Sequence, residues 1–110
     1  MADRTYVAWW FRRYGFYTMD RPFFLEENAR RVAEQEGAHP GFSESLRVFA
    51  LEALTSEDEA TVRRALSALA VVGEVGDIPA IRSASSEGGP AVTKDVGTAV
   101  YEIGHRASSA

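Results

Sequence analysis

The sequence predicts an all-α domain, either a short α-solenoid or a helical bundle, made of about five to six helices in antiparallel pairs. Three observations favour this fold. Apolar residues recur at helical spacing from Pro22 onward, glycine and proline separate these stretches, and one stretch repeats after 31 residues. The length of 110 residues, with 45% hydrophobic and 25% charged residues, predicts a single domain over residues 1–110.

Residues 1–21 are predicted to form an aromatic capping segment. Nine of the twelve aromatic residues fall within the first 24 positions. If residues 4–14 are helical, Tyr6, Trp10 and Tyr14 share one face, and Trp9 points about 100° away from Trp10, so one of the two tryptophans is expected at an edge. A strand is the alternative, because aromatic residues and a Thr-Tyr-Val run also suit strands.

Residues 22–55 are predicted to form a helix pair. The first helix has an apolar stripe and ends near Gly37, and a turn at residues 39–41 follows. Ser43 is then placed to cap the second helix. The two stripes contain Leu25, Ala29, Val32 and Ala33, and Leu46, Phe49, Ala50, Ala53 and Leu54.

Residues 56–86 are predicted to form a second pair. Ser56 and Glu59 have the spacing of a capping box, and the helix that they open ends at Gly73. Asp77 suits the N-cap of a shorter helix, with Pro79 tolerated in its first turn.

Residues 89–105 predict a last helix, which we interpret as a partial second repeat or a cap. Shifted by 31 residues, the small and aliphatic positions of the preceding long helix fall on similar ones here. The matches are Ala65 with Val96, Ala68 with Ala99, Leu69 with Val100, Val72 with Ile103, and Gly73 with Gly104. Residues 106–110 are small and polar and are predicted to be a frayed tail.

Within residues 58–104 the chain resembles the short HEAT-like repeat of the phycobilisome-lyase type. The family pattern is a Val-Arg, spaced Ala and Leu, a Gly, and a Gly-Asp before an Ala-Ile pair. The matching residues are Val62, Arg63, Ala65, Ala68, Leu69, Gly73, Gly76, Asp77, Ala80 and Ile81. The second copy departs from the pattern at Thr93 and Lys94. The resemblance implies stacked helix pairs and a structural ion pair between Arg63 and Asp77.

The resemblance also implies a non-catalytic protein-interaction module, because HEAT-like proteins are mostly scaffolds, adaptors and inhibitors. Small bacterial HEAT-like proteins include immunity proteins that neutralise a cognate toxin. The first alternative is an accessory subunit of an enzyme, since lyase-type repeats occur in proteins that attach tetrapyrroles. The second is a nucleic-acid-binding repeat protein, which needs a basic concave face.

The aromatic segment has two interpretations. Large aromatic side chains bury much area, so the segment suits a lid over the first helix pair. Alternatively, part of it is an exposed partner-binding anchor, because Trp, Tyr and Arg dominate interface energetics. The candidate anchor residues are Trp9, Arg12, Arg13, Tyr14 and Tyr17.

Neither a catalytic group, a cofactor site nor a metal site is expected from the sequence. The chain has no cysteine, and its two histidines, His39 and His105, are interpreted as a solvated turn residue and a residue near a helix end. The net charge of −4 favours a basic protein partner and makes nucleic acid an unlikely one. Because no apolar stretch approaches about 20 residues, no membrane span is expected, and the predicted location is cytoplasmic.

Overall fold

Six α-helices contain most of the residues that the computed structural model describes, which are 3–13, 18–85 and 88–109. They are α1 Arg4–Arg13, α2 Phe24–Ala38, α3 Phe42–Ala53, α4 Glu59–Val72, α5 Ile78–Ala84 and α6 Pro90–Ser109. A 3-10 turn, Val75–Asp77, precedes α5. No strand occurs in these ranges, so the predicted all-α fold is confirmed as a bundle of helices packed against one another.

Helix α4 lies at the centre of the bundle and packs against α2, α3 and α6. All six residues from Ala65 to Ala70 are fully buried, so this part of α4 is enclosed on every side. Three of the six are alanine, which allows neighbouring helices to approach closely. The core is therefore centred on α4, the helix for which the sequence signals are clearest.

Residues 4–13 form a helix, so the strand considered for this segment is wrong. Val7, Trp10 and Phe11 are buried and pack α1 against α3. The Trp10 ring meets Phe42 edge-on, with ring centroids 5.0 Å apart. The next residue back, Trp9, lies at the edge of this face and keeps 46% of its surface exposed.

Two helix starts are capped by other residues than expected. The side chain of Asp58, not Ser56, caps α4 by accepting a 3.1 Å hydrogen bond from the Thr61 amide. Helix α3 begins after Gly41 and is capped across the turn by Glu36, which accepts from the Gly41 and Ser43 amides at 2.7 and 2.9 Å. The two carboxylate oxygens of Glu36 are separate acceptors, so Oε2 bonds to the Gly41 amide while Oε1 bonds to that of Ser43.

The predicted frayed tail is wrong for most of its length, because α6 continues to Ser109. Arg106 donates 2.8 Å hydrogen bonds to the carbonyl oxygens of Ala70 and Gly73, at the end of α4. Those carbonyls have no partner within their own helix, so the guanidinium satisfies acceptors that would otherwise need water. This contact ties the last turns of α6 to the central helix.

The predicted ion pair between Arg63 and Asp77 is also wrong. Asp77 is paired with Arg47 of α3, through two hydrogen bonds of 2.7 and 2.8 Å. Arg63 donates from Nε to Asp95 of α6 at 2.8 Å and from Nη2 to Asp20 at 2.9 Å. The physical reason is packing: α4 lies against α6, so Arg63 meets Asp95 there, and Asp77 in the 3-10 turn is taken by Arg47.

Within the described ranges, none of the helices combines the length and the apolar character that crossing a bilayer requires.

Candidate protein-interaction surface

The exposed side chain of Trp9 is the centre of the candidate site. Successive residues on a helix point about 100° apart, so burying Trp10 turns Trp9 towards the rim of α1. The Tyr6 ring lies beside it, with centroids 5.9 Å apart. Tyr6 is itself held from two sides, since its hydroxyl donates to Gln35 Oε1 at 2.5 Å and its ring lies 4.4 Å from that of His39. Trp9 therefore stands next to a fixed aromatic neighbour.

Trp9 separates two shallow clefts, of about 640 and 580 Å³. We call Trp9 and the residues of both clefts the Trp9 surface. The first cleft, between α1 and α3, is lined by Arg4, Thr5, Ala8, Trp9, Arg12, Arg13 and Phe49. The second, between α1 and α2, is lined by Tyr6, Trp9, Trp10, Arg13, Arg31, Glu34 and Gln35. Trp9 and Arg13 are common to both.

The Trp9 surface is locally basic. Its two carboxylate-bearing neighbours are already engaged, because Glu52 pairs with Arg4 and Glu34 pairs with Arg30 at 2.9 Å. Among the described residues, no carboxylate lies within ion-pair distance of Arg12 or Arg13, and both side chains are exposed. This face is positive although the whole chain carries −4.

The structure brings together three of the five residues predicted for partner binding. Trp9, Arg12 and Arg13 occupy positions i, i+3 and i+4 of α1 and so share one stripe of the helix. Tyr14 and Tyr17 lie outside the described residues. The described part of the aromatic segment thus has an inward face that packs on α3 and an outward edge that contains Trp9.

The sequence interpretation missed the residues that other helices add to this surface. Arg31 and Gln35 come from α2, and Phe49 comes from α3. The only local signal was the four-residue spacing of Arg31 and Gln35, which places both on one face of a helix. Their position beside Trp9 depends on how α1 packs, which no pattern in the sequence specifies.

A second surface feature is an acidic groove where α2, the start of α3 and the end of α4 meet. Its floor is apolar and includes Val32 and Val71, and its rim has Glu36, Glu44 and Glu74. The backbone amides of Ser43 and Gly41 lower the pKa of Glu36, so this carboxylate stays charged well below neutral pH. Arg47 offsets part of the rim charge by pairing with Glu44 at 2.7 Å and Glu74 at 3.4 Å.

The two histidines of the chain each lie beside an aromatic ring. His39 lies against Tyr6, and the His105 ring stacks on Tyr101 one helical turn earlier, with centroids 5.7 Å apart. Across residues 3–13, 18–85 and 88–109, no group of three His, Asp or Glu side chains is placed to hold a metal ion.

Comparison with known proteins adds no relative: no protein-family model, no curated protein and no solved structure matches this chain. The HEAT-like family therefore stays a prediction from the sequence.

Proposed function

We propose that this chain is a non-catalytic protein-interaction module that binds its partner through the Trp9 surface. The observation that carries the proposal is a half-exposed tryptophan beside two exposed arginines on one helical stripe. Tryptophan, tyrosine and arginine contribute most of the binding energy at protein interfaces, where they act as anchors in a partner's pockets.

The surface is also built to bind without reorganising. Val7, Trp10 and Phe11 are buried, so the backbone of α1 is fixed by the core. Tyr6 is fixed by Gln35 and His39. A preorganised anchor loses little conformational entropy on association, and this favours affinity.

The arrangement of the longer helices supports a HEAT-like module. Helix α4 packs between α2 and α6, which are the helices two before and two after it in the chain. In an α-solenoid the first helices of successive pairs are neighbours in this way.

The proposal is tested by affinity capture from a native lysate with wild-type chain and Trp9→Ala, followed by quantitative mass spectrometry. We expect at least about tenfold weaker recovery of the specific partner by the variant, since anchor residues of this type contribute about 2 kcal/mol or more. Tyr101→Ala is the matched control, because Tyr101 is an aromatic residue on α6 with 64% of its surface exposed. Equal recovery by Trp9→Ala and wild type, with both folded, would sink the proposal.

As a second candidate we propose an inhibitor of the immunity type, which neutralises a basic toxin through the acidic groove. The favouring observation is the apolar floor beneath Glu44 and Glu74, to which a basic helix or loop is complementary. The test is co-expression with the product of the adjacent reading frame. We expect growth rescue to be lost in Glu44→Lys/Glu74→Lys and kept in the control Glu26→Lys/Glu57→Lys. Because Glu44 and Glu74 both pair with Arg47, circular dichroism must first show that the double variant is folded. Toxicity that the wild-type chain leaves unaffected rules the role out.

A further inference from the structure

Resting on the proposed function, we infer that the partner of the Trp9 surface presents an acidic segment with an apolar side chain that packs against Trp9. The net charge of the chain favours a basic partner, yet the charge around Trp9 has the opposite sign. Arg12 and Arg13 line the clefts beside Trp9. The carboxylates of Glu34 and Glu52 at the border of the surface are each paired with another arginine.

The charge near Trp9, and not the net charge of the chain, determines which ligand is attracted there, because salt limits the range of electrostatic forces. At physiological ionic strength the Debye length is about 8 Å, so exposed charges beyond this distance are largely screened. The structure measures 36 × 33 × 27 Å along its principal axes, so carboxylates on other faces have little influence on a ligand bound at Trp9. Residues 14–17, which adjoin the surface in sequence, contain no charged side chain.

The geometry suggests how such a segment is held. Arg12 lines the cleft towards α3, whereas Arg13 borders both clefts. Two carboxylates of one bound segment can therefore pair with these two arginines, one on each side of the Trp9 ring. The planar guanidinium binds carboxylates through two parallel hydrogen bonds, which gives direction as well as strength. Between these contacts, Trp9 and the half-buried Phe49 provide the apolar surface.

A single-stranded nucleic acid also combines stacking on tryptophan with contacts to arginine. Its affinity, however, depends on many phosphates neutralised along a continuous basic groove. In α1, Arg12 and Arg13 are the exposed arginines that have no carboxylate partner among the described residues, and they lie within one helical turn. Glu34 and Glu52 border the surface. A protein segment with two or three carboxylates fits this small basic area better.

The inference is tested with three synthetic peptides that share one leucine and differ only in flanking residues: glutamates, glutamines or lysines. Calorimetric titration at about 50 mM salt should show the glutamate peptide binding at least about tenfold tighter than the lysine peptide, with the preference shrinking as salt rises. Arg12→Gln/Arg13→Gln should abolish the preference. The matched control Arg82→Gln/Lys94→Gln, which removes two exposed positive charges elsewhere, should keep it.

Three results overturn the inference: equal binding of the three peptides, tighter binding of the lysine peptide, or tighter binding of a thymidine oligonucleotide than of the glutamate peptide. Capture of the native partner separates the two levels of the proposal. If Trp9→Ala loses the partner but Arg12→Gln/Arg13→Gln keeps it, the acidic segment is wrong and the interaction module stands. If Trp9→Ala keeps the partner, both are wrong.

Discussion

Asp77 shows most directly how single residues hold this fold together. Its side chain is 5% exposed, accepts two hydrogen bonds from Arg47 and accepts a third from the Glu74 amide at 2.8 Å. Arg47 is the main cause of the lowered pKa of Asp77, and the Glu74 amide adds to it. One buried carboxylate thus joins α3 to the turn before α5.

Replacing this carboxylate should be costly. We expect Asp77→Asn to lower the free energy of unfolding by about 1 to 3 kcal/mol, because Arg47 loses its one buried countercharge and keeps only the more exposed Glu44 and Glu74. Glu52→Gln is the control, since it breaks an ion pair whose partners are both more than half exposed, and should have a much smaller effect. Urea unfolding measures both. A similar loss in the two variants would show that burial of Asp77 is unimportant.

The same residue predicts a pH dependence of stability. Because the folded pKa of Asp77 lies below the unfolded value of 3.8, its contribution is complete above that value and is lost as pH falls through the folded pKa. Wild type should therefore lose more stability than Asp77→Asn on acidification below about pH 4. Parallel curves for the two proteins would contradict the assignment.

Ser67 is a residue whose polarity opposes stability. Its side chain is fully buried in α4, and its hydroxyl has no hydrogen-bond partner among the described residues. Ser67→Ala should raise the free energy of unfolding by about 1 kcal/mol, because the desolvation of the hydroxyl is uncompensated. Thermal and urea unfolding would detect this. Ser83→Ala, at an exposed position of α5, is the control. A clear destabilisation of Ser67→Ala would mean that the hydroxyl has a partner after all.

At the scale of elements, the two glycines matched by the 31-residue shift do different things. Gly73 ends α4 where α6 passes closely, and a Cβ atom there would lie 2.5 Å from the carbonyl oxygen of Leu69 and 2.7 Å from Ile103 Cδ1. Gly104 lies inside α6, and a Cβ atom there would meet nothing within 4 Å. Gly73 and Gly104, which the 31-residue shift matches, therefore have different structural roles.

This difference predicts opposite effects of one substitution. Gly73→Ala should destabilise the fold by about 1 to 3 kcal/mol through overpacking. Gly104→Ala should stabilise it by about 0.5 to 1 kcal/mol, because alanine is the better helix former. Urea unfolding of the two variants makes each the control for the other. Destabilisation by both would indicate that Gly104 also faces a close neighbour.

The helices themselves could be predicted because their signals are local. Apolar stripes identify α2, α3, α4 and α6, and their packing confirms them. Cap residues were harder, since Ser56 and Asp58 are both good N-caps two positions apart, and Glu36 caps a helix that it does not belong to. The extension of α6 depends on the hydrogen bonds from Arg106 to the end of α4. This is a tertiary contact, which a local sequence pattern does not reveal.

At the scale of the whole molecule, the two buried ion pairs follow one rule that the sequence interpretation did not find. Arg47 of α3 reaches Asp77, 30 residues on, and Arg63 of α4 reaches Asp95, 32 residues on. Each arginine thus reaches past the element that directly follows its own helix. The family resemblance pointed to a pair within one repeat, whereas the packing of α4 against α6 favours the longer connection.

The candidate site was predictable to the extent that it lies on one helix. The stripe of Trp9, Arg12 and Arg13 follows from helical periodicity, and its exposure follows once Trp10 is assigned to the core. The clefts beside it require α2 and α3, and the sign of their charge requires knowing that Glu52 meets Arg4, 48 residues earlier. Long-range pairing of this kind leaves no trace in composition or spacing.

The neighbouring tryptophans give the molecule a built-in optical reporter. Trp9 is 46% exposed and Trp10 is 4% exposed, although they are adjacent in the chain. Emission from Trp9 should be red-shifted and open to quenching by acrylamide, and emission from Trp10 should be blue-shifted and protected. Covering the surface would shift the first component alone, whereas unfolding would shift the second. The adjacent pair therefore lets one fluorescence spectrum distinguish association from loss of structure.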